Sequence, residues 1–141
     1  MNEGIYHGDC LELMKGLADN TIDLVVTSPP YDDLRNYNGS LNWNFDIFQN
    51  IAKEVARVLT NGGVCVWIVG DASKNGSETG TSFRQALYFK EQCGLNIHDT
   101  MIYKKLQVIP LSHNRYEQCF EYMFVFSKDK PLTTKNIQKI I

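Results

Sequence analysis

Thr27-Ser28-Pro29-Pro30-Tyr31 is the stretch of this chain whose residue types could do chemistry. Two consecutive prolines have no N–H and a fixed φ, so the turn is stiff and its carbonyls stay free to accept. The Ser28 hydroxyl and the Pro29 carbonyl can then present two acceptors to one planar amino group. An exocyclic amine on a nucleobase is a poor nucleophile, because its lone pair is delocalised into the ring. Accepting both of its hydrogens favours a pyramidal nitrogen whose lone pair can attack. Tyr31 would offer a flat face on which an extruded base could stack. The competing reading of the same residues is a stiff turn after a strand, closed over a buried tyrosine.

Such a corner needs elements that carry it to an open edge. Ile5-Tyr6-His7 reads as a short strand ending at Gly8-Asp9, and Leu11, Met14 and Leu17 recur at helical spacing. Ile22 to Val26 is a compact apolar strand cut off by Pro29-Pro30. A polar, Asn-rich loop runs from Asp32 to Asn44. Ile47, Phe48, Ile51, Ala52, Val55, Val58 and Leu59 then form one apolar helical stripe, with Asn61-Gly62-Gly63 as its left-handed stop. Val64 to Val69 is nearly all apolar, as expected of a strand buried on both faces. After a polar glycine-containing loop, a second helix spans about Ser82 to Cys93, with Phe83, Ala86 and Leu87 inward and Gly94 as cap. Thr100 to Tyr103 and Phe120 to Phe126 read as strands, joined by a long loop from Lys104 to Gln118.

Strands alternating with helices predict a parallel sheet covered on both sides, with its ligand crevice at the carboxyl ends of the strands. Asp9, Thr27–Tyr31, Asp71 and Lys104 each follow a predicted strand, so all should gather along one edge. Asp71 would orient the crevice or cap the next element, and Lys104-Lys105 reads as a solvated strand end.

The 141 residues suit one domain, given roughly 100–200 residues per domain. A 43% apolar and 21% charged composition excludes disordered and fibrous classes. Net charge of −2 argues against a strongly basic nucleic-acid coat, without excluding a local groove. No basic-then-apolar leader is visible and no apolar run is long enough for a bilayer, so a cytoplasmic protein is expected. Cys10, Cys65, Cys93 and Cys119 form no Cys-x-x-Cys pair and no histidine completes a zinc pattern with them, which fits reduced thiols and no metal.

Gly8-Asp9-Cys10, the run Leu17 to Val26, and Thr27-Ser28-Pro29-Pro30-Tyr31 together resemble the opening of the β-type DNA amino-methyltransferases, which use S-adenosylmethionine. The helix before Asn61-Gly62-Gly63, and Asn114-Arg115-Tyr116-Glu117 with Phe120 to Lys128, resemble the blocks that follow. The resemblance implies an α/β, partial Rossmann-like methyltransferase sheet, mostly parallel with a terminal antiparallel strand. It implies that Ser28 and Pro29 hold the target amino group, Pro30 sets the geometry and Tyr31 stacks on the base. Asp9, with Cys10 and Thr27, would meet the cofactor, although Asp9 also reads as a helix N-cap. Arg35, Asn36 and Tyr37 in the polar loop, and Arg115 and Tyr116 near the last strand, would face double-stranded DNA; each also reads as an ordinary solvated residue. Serine in the first position leans toward cytosine N4 over adenine N6. Without a Pro-Cys nucleophile, methylation of cytosine C5 is not expected.

The chain departs from that family in one respect. Nothing matches the glycine-rich cofactor loop that β-type members place after the catalytic region. Residues 1–128 are therefore expected to be the catalytic portion, and 129–141 a basic tail leading toward a missing target-recognition and cofactor half. Alone, the chain should bind S-adenosylmethionine weakly or not at all, and a sheet lacking strands should self-associate. Competing functions are a DNA- or partner-binding fragment without chemistry, and methylation of RNA or a protein amine.

Overall fold

The computed structural model describes residues 4–31, 43–106, 115–116 and 118–131. In chain order these form α1 (Cys10–Lys15), β1 (Ile22–Thr27), α2 (Phe45–Val58), β2 (Leu59–Val69), β3 (Ser73–Lys74), β4 (Ser77–Glu78), α3 (Thr81–Glu91), β5 (Asn96–Lys104) and β6 (Phe120–Ser127). The main sheet has the order β1-β2-β6-β5. β1 and β2 pair in parallel, while β6 runs antiparallel to both β2 and β5. Three strands thus point one way, and β6, the last described strand, enters between them in the opposite sense. The α/β class and the antiparallel terminal strand agree with the sequence reading.

Ile5-Tyr6-His7 does not form the predicted strand, and Ile5 is fully exposed. A strand needs a neighbour for its backbone groups, and no described strand pairs with the outer edge of β1. Asn75-Gly76, read as loop, makes a two-residue hairpin between β3 and β4 with both residues at positive φ, the geometry that favours Asn-Gly in such turns.

Helix α2 follows its apolar stripe, burying Phe48, Ala52, Val55, Ala56 and Val58, with Asn44 capping the Ile47 N–H at 2.9 Å. Its end corrects the sequence reading. The helix stops at Val58, and Leu59 is already extended and paired with Ile22. Its last carbonyls are met by Lys128, whose Nζ lies 2.7 Å from Ala56 O and 3.0 Å from Leu59 O. Gly62 does adopt a left-handed φ of 83°. It turns the chain inside β2, where its N–H donates to Lys128 O and Gly63 O accepts from Lys128 N at 3.0 Å.

Helix α3 buries Ser82, Gln85, Ala86 and Phe89. Phe83 and Leu87, expected inward, are each 48% exposed. The true inward face follows Trp67, whose Nε1 donates to Gln85 Oε1 at 2.8 Å inside the core. The C-cap of α3 is Gln92, and Gly94, expected as the cap, lies two residues beyond it at a left-handed φ of 71°. Phe48, Phe89 and Trp67 make edge contacts with one another, so α2 and α3 lie on the same sheet face.

That face carries Cys65, Trp67, Val69, Phe124 and Phe126, all buried. On the opposite face Val66, Ile68, Met123 and Val125 are only partly buried, and Val26 and Met101 are exposed. No described helix covers it. The expectation of a sheet covered on both sides, with β2 buried on both faces, is therefore corrected to a sheet with one covered face among the described residues.

Candidate active site

The common direction of β1, β2 and β5 brings Thr27–Tyr31, Gly70-Asp71 and Lys104-Lys105 to one end of the sheet, as the edge rule requires. The start of β6 arrives there too, because Val69 pairs with Tyr122 and Tyr103 with Glu121. Asp9 follows no strand. Its neighbours Gly8 and Cys10 nevertheless line the same cleft as Thr27, Ser28, Pro29 and Pro30.

This cleft has a volume of about 450 Å³ and lies beside β1, between α1 and α2. Leu13, Met14, Val25, Trp43, Ile51 and Trp67 form its apolar wall, and no described residue lining it is charged. Ser28 is exposed at its rim, Pro29 is buried and Pro30 partly buried. The double proline thus holds a serine hydroxyl at an opening, as its rigidity predicts.

Tyr31 occupies a different position from the one its stacking role calls for. It is 9% exposed, and a methyl group on Gly70 would lie 3.6 Å from its ring. Its hydroxyl lies 2.7 Å from Ser28 Oγ and donates to Glu121 Oε2 at 2.7 Å. Glu121 in turn pairs with Lys105 Nζ at 2.8 Å. Sequence reading missed both of these residues. The available signal was a lone carboxylate in the apolar run Phe120 to Phe126; charged residues are almost never fully buried unless paired. Lys105, read as solvated, is that partner.

Asp9 accepts from the Leu11 N–H at 2.8 Å and the Glu12 N–H at 3.3 Å, both through Oδ1, so it is the N-cap of α1. Partial burial, and then the Asp9 carboxylate beside it, raise the Cys10 thiol above its ordinary value. It presents a neutral wall to the cleft. Asp71 is buried and accepts from the Ser82 backbone N–H at 2.9 Å and from the Ser82 hydroxyl. It holds the first turn of α3 and does not line the cleft. Arg115 donates to Gly76 O at the β3–β4 hairpin, while Tyr116 is fully exposed. Arg35, Asn36 and Tyr37 lie outside the described residues, as do Asn114 and Glu117.

Residues 22–141 match the N6/N4 family of DNA methylases. The orphan methyltransferase M.BamHII of Bacillus amyloliquefaciens is 60% identical over 121 residues, covering 86% of this chain and 44% of that protein. The solved PvuII DNA methyltransferase (cytosine-N4-specific) aligns with a TM-score of 0.76 at 22% identity, over 96% of this chain and 55% of its own. A DNA modification methylase of Thermus thermophilus, solved with S-adenosyl-L-methionine, aligns at 0.65 and 23% identity, over 90% of this chain and 56% of its own. The chain therefore spans about half the length of these proteins. The two structures speak for the Rossmann-like fold; the match across residues 22–141 and the M.BamHII identity speak for descent. This chain belongs to the DNA methylase family.

Proposed function

We propose that the chain is the catalytic portion of a DNA amino-methyltransferase, which moves a methyl group from S-adenosylmethionine to the N4 of cytosine or the N6 of adenine. The Ser28–Pro29 corner carries this reading: it opens, at the carboxyl end of β1, on a cleft able to admit a small molecule. Clefts of roughly 300–1,000 Å³ are usual for such ligands. S-adenosylmethionine, when bound, supplies an electrophilic methyl carbon. Gly8, Cys10 and Thr27, with the apolar wall from Leu13 and Met14, suit its nucleoside end. No charged group among the described lining residues meets its methionine end, which supports weak binding by this chain alone. Asp9 would approach the nucleoside with Oδ2, the oxygen not engaged in either cap bond.

Ser28 Oγ and the Pro29 carbonyl accept the two amino hydrogens and so localise the nitrogen lone pair for attack. Pro30 keeps the two acceptors at a fixed separation. Tyr31 offers a base only its narrow exposed margin and serves the site by holding Ser28. The leading serine, and the cytosine-N4 specificity named for the PvuII enzyme, favour cytosine. Duplex DNA is assigned to Arg35, Asn36, Tyr37, Arg115 and Tyr116, the last fully exposed. Residues 129–141 lead toward the complementing half, which would cover the open sheet face. All four cysteines are free thiols, consistent with a cytoplasmic setting beside DNA.

Co-expression with the portion of M.BamHII that this chain does not match tests the reading. Digested DNA, analysed by mass spectrometry, should contain N4-methylcytosine or N6-methyladenine, and Ser28→Ala should lower it at least a hundredfold. The chain alone should give none. No methylated base from the pair, with intact M.BamHII active in parallel, would refute the proposal.

A further inference from the structure

A serine hydroxyl both donates and accepts, and its proton ordinarily rotates to suit whatever is near. At a site that must accept hydrogens from an amino group, that freedom is a defect, since a proton turned toward the ligand would repel N–H. The hydrogen bonds behind Ser28 remove it. Tyr31 has one hydroxyl proton, and it goes to Glu121 Oε2 at 2.7 Å. The 2.7 Å contact between Ser28 Oγ and Tyr31 OH can then be bridged only by the serine's own proton. Ser28 therefore points its proton inward and its lone pairs toward the cleft. Lys105 holds the other carboxylate oxygen at 2.8 Å, while the Glu121 side chain is only 12% exposed. Each Glu121 carboxylate oxygen thus faces a donor, Oε2 the Tyr31 hydroxyl and Oε1 the Lys105 ammonium.

We infer that Glu121, held by Lys105, is a positioning residue that acts through Tyr31 to fix Ser28 as an acceptor, and so makes the cleft prefer amino-bearing bases over their oxo counterparts. Cytosine and adenine offer two N–H groups where uracil and hypoxanthine offer a carbonyl oxygen, which would face the Ser28 lone pairs and the Pro29 carbonyl. Mismatch of two acceptors in a partly buried site costs about tenfold or more in affinity. The inference rests on the amino-methyltransferase reading and adds to it a residue set remote from the base.

NMR titration of the chain with cytidine, uridine, adenosine and inosine tests it, following the resonances of Val26, Thr27 and Ser28. The wild type should bind cytidine and adenosine at least tenfold tighter than their oxo partners. Tyr31→Phe and Glu121→Gln should bring that ratio below about threefold; a purely structural role would weaken both members of a pair equally. Glu121→Asp with Lys105 intact should restore part of the preference. The Ser28 side-chain couplings should report one χ1 rotamer in the wild type and an average in Tyr31→Phe. Equal affinity of the wild type for amino and oxo nucleosides would overturn the inference while leaving the methyltransferase reading standing. No perturbation by any of the four would overturn the inference, while the methyltransferase reading stands or falls with the co-expression assay.

Discussion

Thiols show how far single-residue chemistry depends on surroundings. Cys65 sits wholly buried in β2, and burial pushes its thiol up to about 12. Cys93, at the end of α3, is pushed up to about 11, again by burial, with Lys53 opposing. The thiolate is the reactive form, so iodoacetamide at pH 8 should label the exposed Cys119 and Cys10 first. Cys65 should stay unmodified until denaturant is added. Mass mapping that found native Cys65 alkylated as fast as Cys119 would contradict this placement. At the rim of the cleft, the rigid corner of Ser28, Pro29 and Pro30 was legible in the sequence because imino-acid rigidity is local. The position of Tyr31 was not, because it depends on Gly70 leaving room for a ring and on a carboxylate 90 residues away.

At the scale of elements, Arg57 joins α1 and the following turn to α2. Its guanidinium donates to Met14 O and Leu17 O, both at 2.9 Å, and pairs with Glu54 at 2.7 Å and Asp19 at 2.6 Å. The Arg57 hydrogen bonds hold the Glu54 carboxyl below its ordinary value of 4.5. A depressed carboxylate stabilises the fold fully above its unfolded value, and that contribution is lost as pH falls through the folded one. Arg57→Ala should therefore cost about 1–3 kcal/mol in urea melts at pH 7. The difference from wild type should shrink below about pH 4.5, as Glu54 protonates; a constant difference down to pH 3 would argue against the ion pair. The second element-scale prediction concerns Gly63. A methyl group there would meet Thr60 O at 2.9 Å and Ile22 O at 3.0 Å, and Ile22 is held in place by its pairing with Leu59. Gly63→Ala should lower stability by about 1–3 kcal/mol, visible as a drop in Tm. An unchanged Tm would mean that the turn inside β2 can yield.

For the molecule as a whole, the distribution of apolar surface decides behaviour. Both outer strands lack a described neighbour on one side, and Val26, Met101, Ile102 and Tyr103 are each about half exposed. Met101 and Val26 lie on the face that no described helix covers, together with the partly buried Val66, Ile68, Met123 and Val125, and an exposed apolar face marks an interaction site or drives association. Light scattering should show a mass that rises with concentration, and Met101→Lys with Val26→Lys should lower it without loss of secondary structure. A monomer at every concentration would show that the face is covered in solution. The complementing portion of the longer relatives, if it docks there, should suppress the association in the same assay.

Element types and most of their bounds lay in the sequence, because apolar period, caps and left-handed glycines are read over a few residues. So did the Ser-Pro-Pro corner and the edge on which it stands, since strands that share a direction share an end. The tertiary structure alone decided which face of α3 turns inward, where α2 ends, and what stands behind Ser28. Each depends on partners far along the chain: Trp67 for Gln85, Lys128 for the carbonyls of α2, Glu121 and Lys105 for Tyr31. A hydrogen bond or ion pair needs its two ends within about 3 Å, and local pattern carries no information about which distant residue will supply the second.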